Sequence, residues 1–369
     1  MEAYHRQYYN IQPHKERKSN FELLRIFSML IIIAHHLIVQ GITDYSIGSL
    51  SNRIIGALMF PGGRVGVALF FMITGYFLAK KKITSVKKVF LETLFYGWSL
   101  AILLTIPYIM DKFFGFNFNY CGIKAILRKL LVPISSGRWW FITAYCLLVL
   151  TVPYINLFLE KLNKSGFRLF LFISWFFWYS GVMYFGYDIG LTTAFFFYLF
   201  GSYFRLYSLQ KTGIFINILL AIIFWTIMAA FYFYFNIPDA EVSKKTQIIN
   251  FMANIIIHSF IIPLCAWNIF AFFSKIDIKQ NQFINIIAST TLGIYLIHVS
   301  TIKTIFYRDF FHINQQYLSN LFPLFALIDV FGIFFICSLI DFARLKFIEP
   351  RMLKKADMIF ITIKNKFFT

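Results

Sequence analysis

The sequence predicts an all-α, polytopic membrane protein of about ten transmembrane helices with both termini in the cytoplasm. Three observations carry that prediction. Of 369 residues, 59% are hydrophobic and only 14% charged, with a mean hydropathy of +0.69, too apolar for helices that face water. The apolar residues gather in runs of roughly 16–26, long enough at 1.5 Å per residue to cross a bilayer core. The basic residues fall between those runs and alternate in density. With the N-terminus inside, roughly 23 Lys and Arg lie in cytoplasmic segments against roughly 11 outside, the asymmetry that sets orientation in membranes. The net charge of +19 is thereby explained without nucleic acid as a partner.

Residues 1–19, with Arg6, Lys15, Arg17 and Lys18, read as a polar cytoplasmic lead with no cleavable signal pattern. The domain proper covers 20–345. A first span, Asn20 to Gly41, is followed by a polar loop to Gly63 and a second span from Arg64 to Ala79. Lys80, Lys81 and Lys82 close it as topology determinants. A third span covers Val89 to Met110. A long loop with a short amphipathic piece, GIKAILRKLL, leads to a fourth span opening at Trp139 and Trp140. With Arg138 these read as an interfacial belt, glycan stacking being the alternative. Spans five and six, Phe167–Tyr184 and Leu191–Tyr207, join through a turn at Asp188. Four more follow: Ile214–Phe235, Ile248–Phe273, Phe283–Ile305 and Leu318–Phe342. A basic cytoplasmic tail, 346–369, remains. Cys121, Cys146, Cys265 and Cys337 have no metal spacing and read as buried packing residues.

The first span, NFELLRIFSMLIIIAHHLIVQG, departs from a plain apolar helix. It carries Glu22, Arg25, His35 and His36. An ionisable group at membrane depth is costly and marks a functional site by default. At 100° per residue, Arg25 and His36 lie within about 20° of one another and roughly 16 Å apart along the axis. His35 turns about 80° away and reads as structural or supporting. Glu22, one turn before Arg25, is spaced to pair with it. Snorkelling of Arg25 and a hydrogen bond from the His to a neighbouring helix are the structural alternatives. Asp329 in the last span is a further buried carboxylate, His258 reads as structural, and Asp341 with Arg344 as an i,i+3 pair.

Four stretches resemble acyltransferase family 3 of membrane-bound enzymes. Arg25 and His36 match its basic residue, ten residues, then His. GRVGVALFFMITGYFLAKKK is similar to its second span, with Gly63, Gly66, Phe70, Phe71, Thr74 and Gly75. RWWFITAYCLLVLTVPYIN resembles the aromatic-led fourth span, and ASTTLGIYLIHVS a late span closing on Tyr295 and His298. The resemblance implies transfer of an acetyl group from cytoplasmic acetyl-CoA to a hydroxyl of a cell-surface or lipid-linked glycan, with no metal. It implies His36 as base or nucleophile, Arg25 with Glu22 on the donor side, and His298 at the depth of His36, catalytic or an interfacial cap. Two departures stand out. Relatives carry Arg-x-x-Arg before Pro at the start of the third span, where this chain has Lys87, Lys88 and Glu92; the two lysines are expected to meet the CoA phosphates. Many relatives append a hydrolase-like extracellular domain, whereas about 25 residues follow the last span here, so transfer is expected in the membrane domain or on a separate protein.

Two other classes fit a polar track in a membrane bundle: an exporter of polysaccharide or lipid-linked sugar, and a scaffold of an envelope-synthesis complex. Neither half of the chain shows the paired broken helices of inverted-repeat transporters, and a scaffold leaves the buried charges without a purpose. Ile-, Phe-, Lys- and Asn-rich usage points to an AT-rich bacterial genome, and the expected location is a bacterial plasma membrane.

Overall fold

The computed structural model describes residues 17–114, 132–134, 139–185, 190–207, 212–235, 256–300 and 305–367. Every regular element among them is helical. In chain order these are α1 Ser19–Gly41, α2 Leu50–Met59, α3 Gly62–Leu78, α4 Lys87–Phe114, α5 Trp140–Leu159, α6 Lys164–Phe185, α7 Gly190–Tyr207 and α8 Ile214–Phe235. A π-helical turn, Ile257–Ile261, runs into α9 Ile262–Lys275. Then come α10 Gln282–Ser289, α11 Thr291–His298, a second π-helical stretch Ile305–Phe310, the short α12 Ile313–Gln316, α13 Phe322–Phe347 and α14 Glu349–Phe367.

Among the described residues, six segments are long and apolar enough to cross a membrane: Ser19–Gly41, Leu50–Leu78, Lys87–Ile106, Trp140–Leu159, Ile214–Phe235 and Phe322–Phe347. The difference from ten has physical causes. The helices Lys164–Phe185 and Gly190–Tyr207 match spans five and six, but Tyr, Ser, Trp and basic residues dilute their apolar character. The ninth span is broken: Thr290 ends α10 by returning its hydroxyl to the Ile287 carbonyl, and α11 starts afresh at Thr291. Part of the eighth span, the amphipathic piece after α4, Arg138, Cys121 and the Asp188 turn lie outside the described residues. The expected polar loop between the first two spans contains a helix, α2, capped by the Ser49 side chain accepting from the Asn52 amide. The basic tail also folds, as α14. Cys146, Cys265 and Cys337 are free and buried, as their placement in apolar runs suggests.

Helix α3 is the hub, packed between α1 and α7 with α9 alongside. Small residues allow this. A methyl group added at Gly75 would stand 2.0 Å from the Tyr198 carbonyl oxygen, and one at Gly201 2.1 Å from that of Met72. The α3 and α7 backbones therefore touch, the close approach by which helices associate without a hydrophobic drive. On its other side Gly62 and Gly66 lie against the backbone of α1 at Ile31 and Ser28. Buried Asn156 of α5 ties the hub's C-terminal end. Its amide donates to the Leu78 and Lys81 carbonyls at 2.7 and 2.8 Å, and its oxygen accepts from the Tyr198 hydroxyl at 2.7 Å. The Leu78 carbonyl closes α3 and the Lys81 carbonyl lies just past it, so the amide secures the exit from the helix.

A second polar knot joins α4, α13 and α14. The Asp341–Arg344 pair forms at 2.6 Å, and Arg344 also reaches Glu92 at 3.1 Å and Glu349 at 2.9 Å, while the Tyr96 hydroxyl donates to Asp341 at 2.7 Å. Asp341 in turn lies against Gly293 of α11, where an added methyl would meet its carboxyl carbon at 2.1 Å. Breaking a buried ion network by removing one partner costs about 3–5 kcal/mol, because the stranded charges stay buried. Arg344→Ala is expected to lower the melting temperature in detergent by several degrees, more than Lys354→Ala in exposed α14; equal effects would remove the knot as a stabilising element.

Candidate functional site

The polar stripe of α1 faces protein. Arg25, Met29, Ile32 and His36, spaced by 4, 3 and 4 residues, all line one cavity of about 460 Å³. The same wall contains Val67, Phe70 and Thr74 of α3, Val89 of α4, Phe141 and Tyr145 of α5, Thr193 of α7, and Thr291, Leu292 and Tyr295 of α11. This size lies within the about 300–1,000 Å³ of small-ligand pockets, and its mostly apolar wall with few polar groups is their usual chemistry. Arg25 and His36 thus share one enclosed space, as their helical phase predicts.

His36 is set by a relay of hydrogen bonds. Its Nδ1 lies 3.1 Å from Nε2 of His298, and Nδ1 of His298 lies 2.6 Å from the carbonyl oxygen of Ile294. A carbonyl only accepts, so His298 carries its proton on Nδ1 and offers the Nε2 lone pair. His36 must then donate from Nδ1, which leaves the lone pair of its neutral ring on Nε2. These tautomers follow from the bonding pattern. His298 is 1% exposed, so its ring is held on all sides. The sequence places both histidines at one depth; their direct contact needs the break at Thr290 and the docking of α11 on α13, where Thr290 and Ser338 hydroxyls bond at 2.8 Å.

The remaining expected residues divide. Glu22 approaches Arg25 at 3.6 Å, with both side chains partly exposed, a loose pair rather than a locked one. His35, turned away on the helical wheel, also lines the cavity, with Nδ1 donating to the Phe60 carbonyl at 2.6 Å. Lys87 pairs with Asp357, and Lys88 with Glu349 at 3.4 Å, so both reach α14 instead of the cavity wall. Asp329 is buried in α13 and is not among the described lining residues. The side chain of His258 lies outside the described residues. The expected belt pair separates: Trp139 is 4% exposed in the core, whereas Trp140 is 41% exposed and lines the cavity.

Sequence reasoning gave no role to Arg64, Tyr145 or Thr193, all in the wall. Arg64 had a usable signal, a cation opening an apolar run. Tyr145 and Thr193 had none, because only packing tells which face of an all-apolar helix meets a cavity.

With ¹⁵N-labelled histidine in lipid, His36 is expected to show a protonated Nδ1 and an unprotonated Nε2. His298→Phe removes the acceptor and should give mixed tautomers; an unchanged spectrum would disprove the relay.

The family model described as an acyltransferase domain, that of acyltransferase family 3, matches residues 18–342. Comparison with curated proteins and with solved structures returned no match.

Proposed function

The chain belongs to acyltransferase family 3, and from that premise we propose that it moves an acetyl group from cytoplasmic acetyl-CoA to a hydroxyl of an extracytoplasmic cell-surface or lipid-linked glycan, in a bacterial plasma membrane that it crosses about ten times with both termini inside. The observation that carries this reading is the sharing of one cavity by Arg25 and His36, with His36 oriented by His298.

The step balances on these residues. The acceptor hydroxyl gives its proton to Nε2 of His36 as its oxygen attacks the thioester carbonyl. The carbon–sulfur bond breaks, and the CoA thiolate leaves, taking a proton back from the imidazolium. While His36 is charged, its Nδ1–H bond to the His298 lone pair strengthens, since charge-assisted hydrogen bonds are about twice as strong as neutral ones. A cavity of about 460 Å³ suits the thioester and pantetheine arm, with the nucleotide left outside. The roughly 16 Å between Arg25 and His36 fits that extended arm. Arg25 supports the donor side with Glu22 as its orienting partner. Lys87 and Lys88 directly precede Val89 of the wall; in this reading they exchange Asp357 and Glu349 for CoA phosphates.

Purified protein in liposomes, given radiolabelled acetyl-CoA and a cell-surface glycan fraction, is expected to place label in the glycan. Glycan crossing the bilayer without label would identify an exporter instead. His36→Ala should lower transfer by at least about 10²-fold, the scale of general-base catalysis, with the melting temperature little changed; retained activity would remove His36 from the chemistry. Arg25→Gln is expected to raise KM for acetyl-CoA with a smaller effect on the glycan, and the reverse pattern would put Arg25 on the acceptor side.

A further inference from the structure

The cavity wall holds one feature that the transfer chemistry leaves unused. Trp140, the first residue of α5, lines the same cavity as His35, His36 and Arg64, yet 41% of its surface stays open. A tryptophan of a lipid belt would turn outward to headgroups. Trp140 also brings its six-membered ring against Gly190, the first residue of α7. A methyl group there would stand 2.5 Å from its Cε3 and 2.9 Å from its Cζ3. Phe141 meets it edge-on, with centroids 6.2 Å apart. The ring thus touches the start of α7 while part of its surface stays open.

Its surroundings are polar in a particular way. Thr193, one turn into α7, accepts a hydrogen bond from Trp178 Nε1 at 2.9 Å, and both residues line the cavity. An aromatic face flanked by hydroxyl, imidazole and guanidinium groups matches a pyranose. The ring face of tryptophan carries negative quadrupole charge. A sugar presents axial C–H bonds, slightly positive, on its faces and hydroxyls around its rim. A lipid tail would use the face but leave the polar rim idle, and a peptide would not need a fixed flat platform.

We infer that Trp140 is the platform on which the acceptor's sugar ring stacks, with Gly190 holding the indole in place, so that a rim hydroxyl is presented toward His36. The inference rests on the acyl-transfer reading for the last clause only; stacking itself is independent of chemistry.

The test uses the full-length protein in liposomes with acetyl-CoA and the glycan fraction. Trp140→Ala is expected to raise KM for glycan about tenfold or more, with KM for acetyl-CoA changed far less. Trp140→Phe, which keeps a stacking face, should retain most of the affinity. Gly190→Ala should reproduce the Trp140→Ala phenotype with Trp140 still present, because the added methyl displaces the indole. Unchanged glycan KM in Trp140→Ala, or an equal loss of acetyl-CoA affinity, would overturn the assignment. Saturation-transfer NMR on wild-type protein without acetyl-CoA separates binding from chemistry. Transfer from indole protons to sugar ring protons, lost in Trp140→Ala, supports the platform even if no label moves. Its absence in wild type sinks the platform even if transfer occurs.

Discussion

A polar group in a bilayer must find its partners within the protein, because lipid offers none. That constraint fixes how α1 sits. A helix bearing Glu22, Arg25, His35 and His36 cannot turn this side to lipid, so α3, α5, α7 and α11 close around it and leave a cavity where the stripe runs. The bare glycine contacts of α3 with both α1 and α7 make that closure possible, since side chains there would hold the backbones apart.

The same constraint is met in two ways within one molecule. At the junction of α4, α13 and α14, charges are spent on one another: Arg344 faces Glu92, Asp341 and Glu349. Along α1 the Glu22–Arg25 pair is looser, at 3.6 Å, and a cavity lies beside the stripe. A fully satisfied ion network is rigid, whereas a wall with imidazole and guanidinium groups lining empty volume is suited to a ligand. The two systems connect through α11. Asp341 abuts Gly293, and five residues later His298 meets His36. The rigid knot therefore anchors the helix whose His298 ring holds His36.

A neutral histidine in the orienting position has a consequence that a carboxylate would not. An aspartate beside His36 would favour the imidazolium at all times and require burial of another charge. His298, bonded through Nδ1 to a carbonyl, offers a lone pair without net charge. On the proposed route the charge on His36 exists only while the proton is in transit, which suits a site of low dielectric.

Much of this was legible in the residues. Composition and run length determine the all-helical membrane class, since a continuous apolar run of about 20 residues in lipid satisfies its own polar backbone as a helix. The 3.6-residue period alone puts Arg25 and His36 on one face, because both belong to one helix. The Asp341–Arg344 pair and the buried cysteines were readable for the same local reason. What the tertiary structure decided lies between helices. That His298 touches His36, that Lys87 and Lys88 reach Asp357 and Glu349, that Trp139 is core while its neighbour Trp140 opens on the cavity, and that Tyr145 and Thr193 belong to the wall all depend on crossing angles and on the break at Thr290. Period and hydropathy describe one helix against an average medium. They hold no information on which neighbour replaces that medium, and in helices apolar on every side even the buried face is set only by packing.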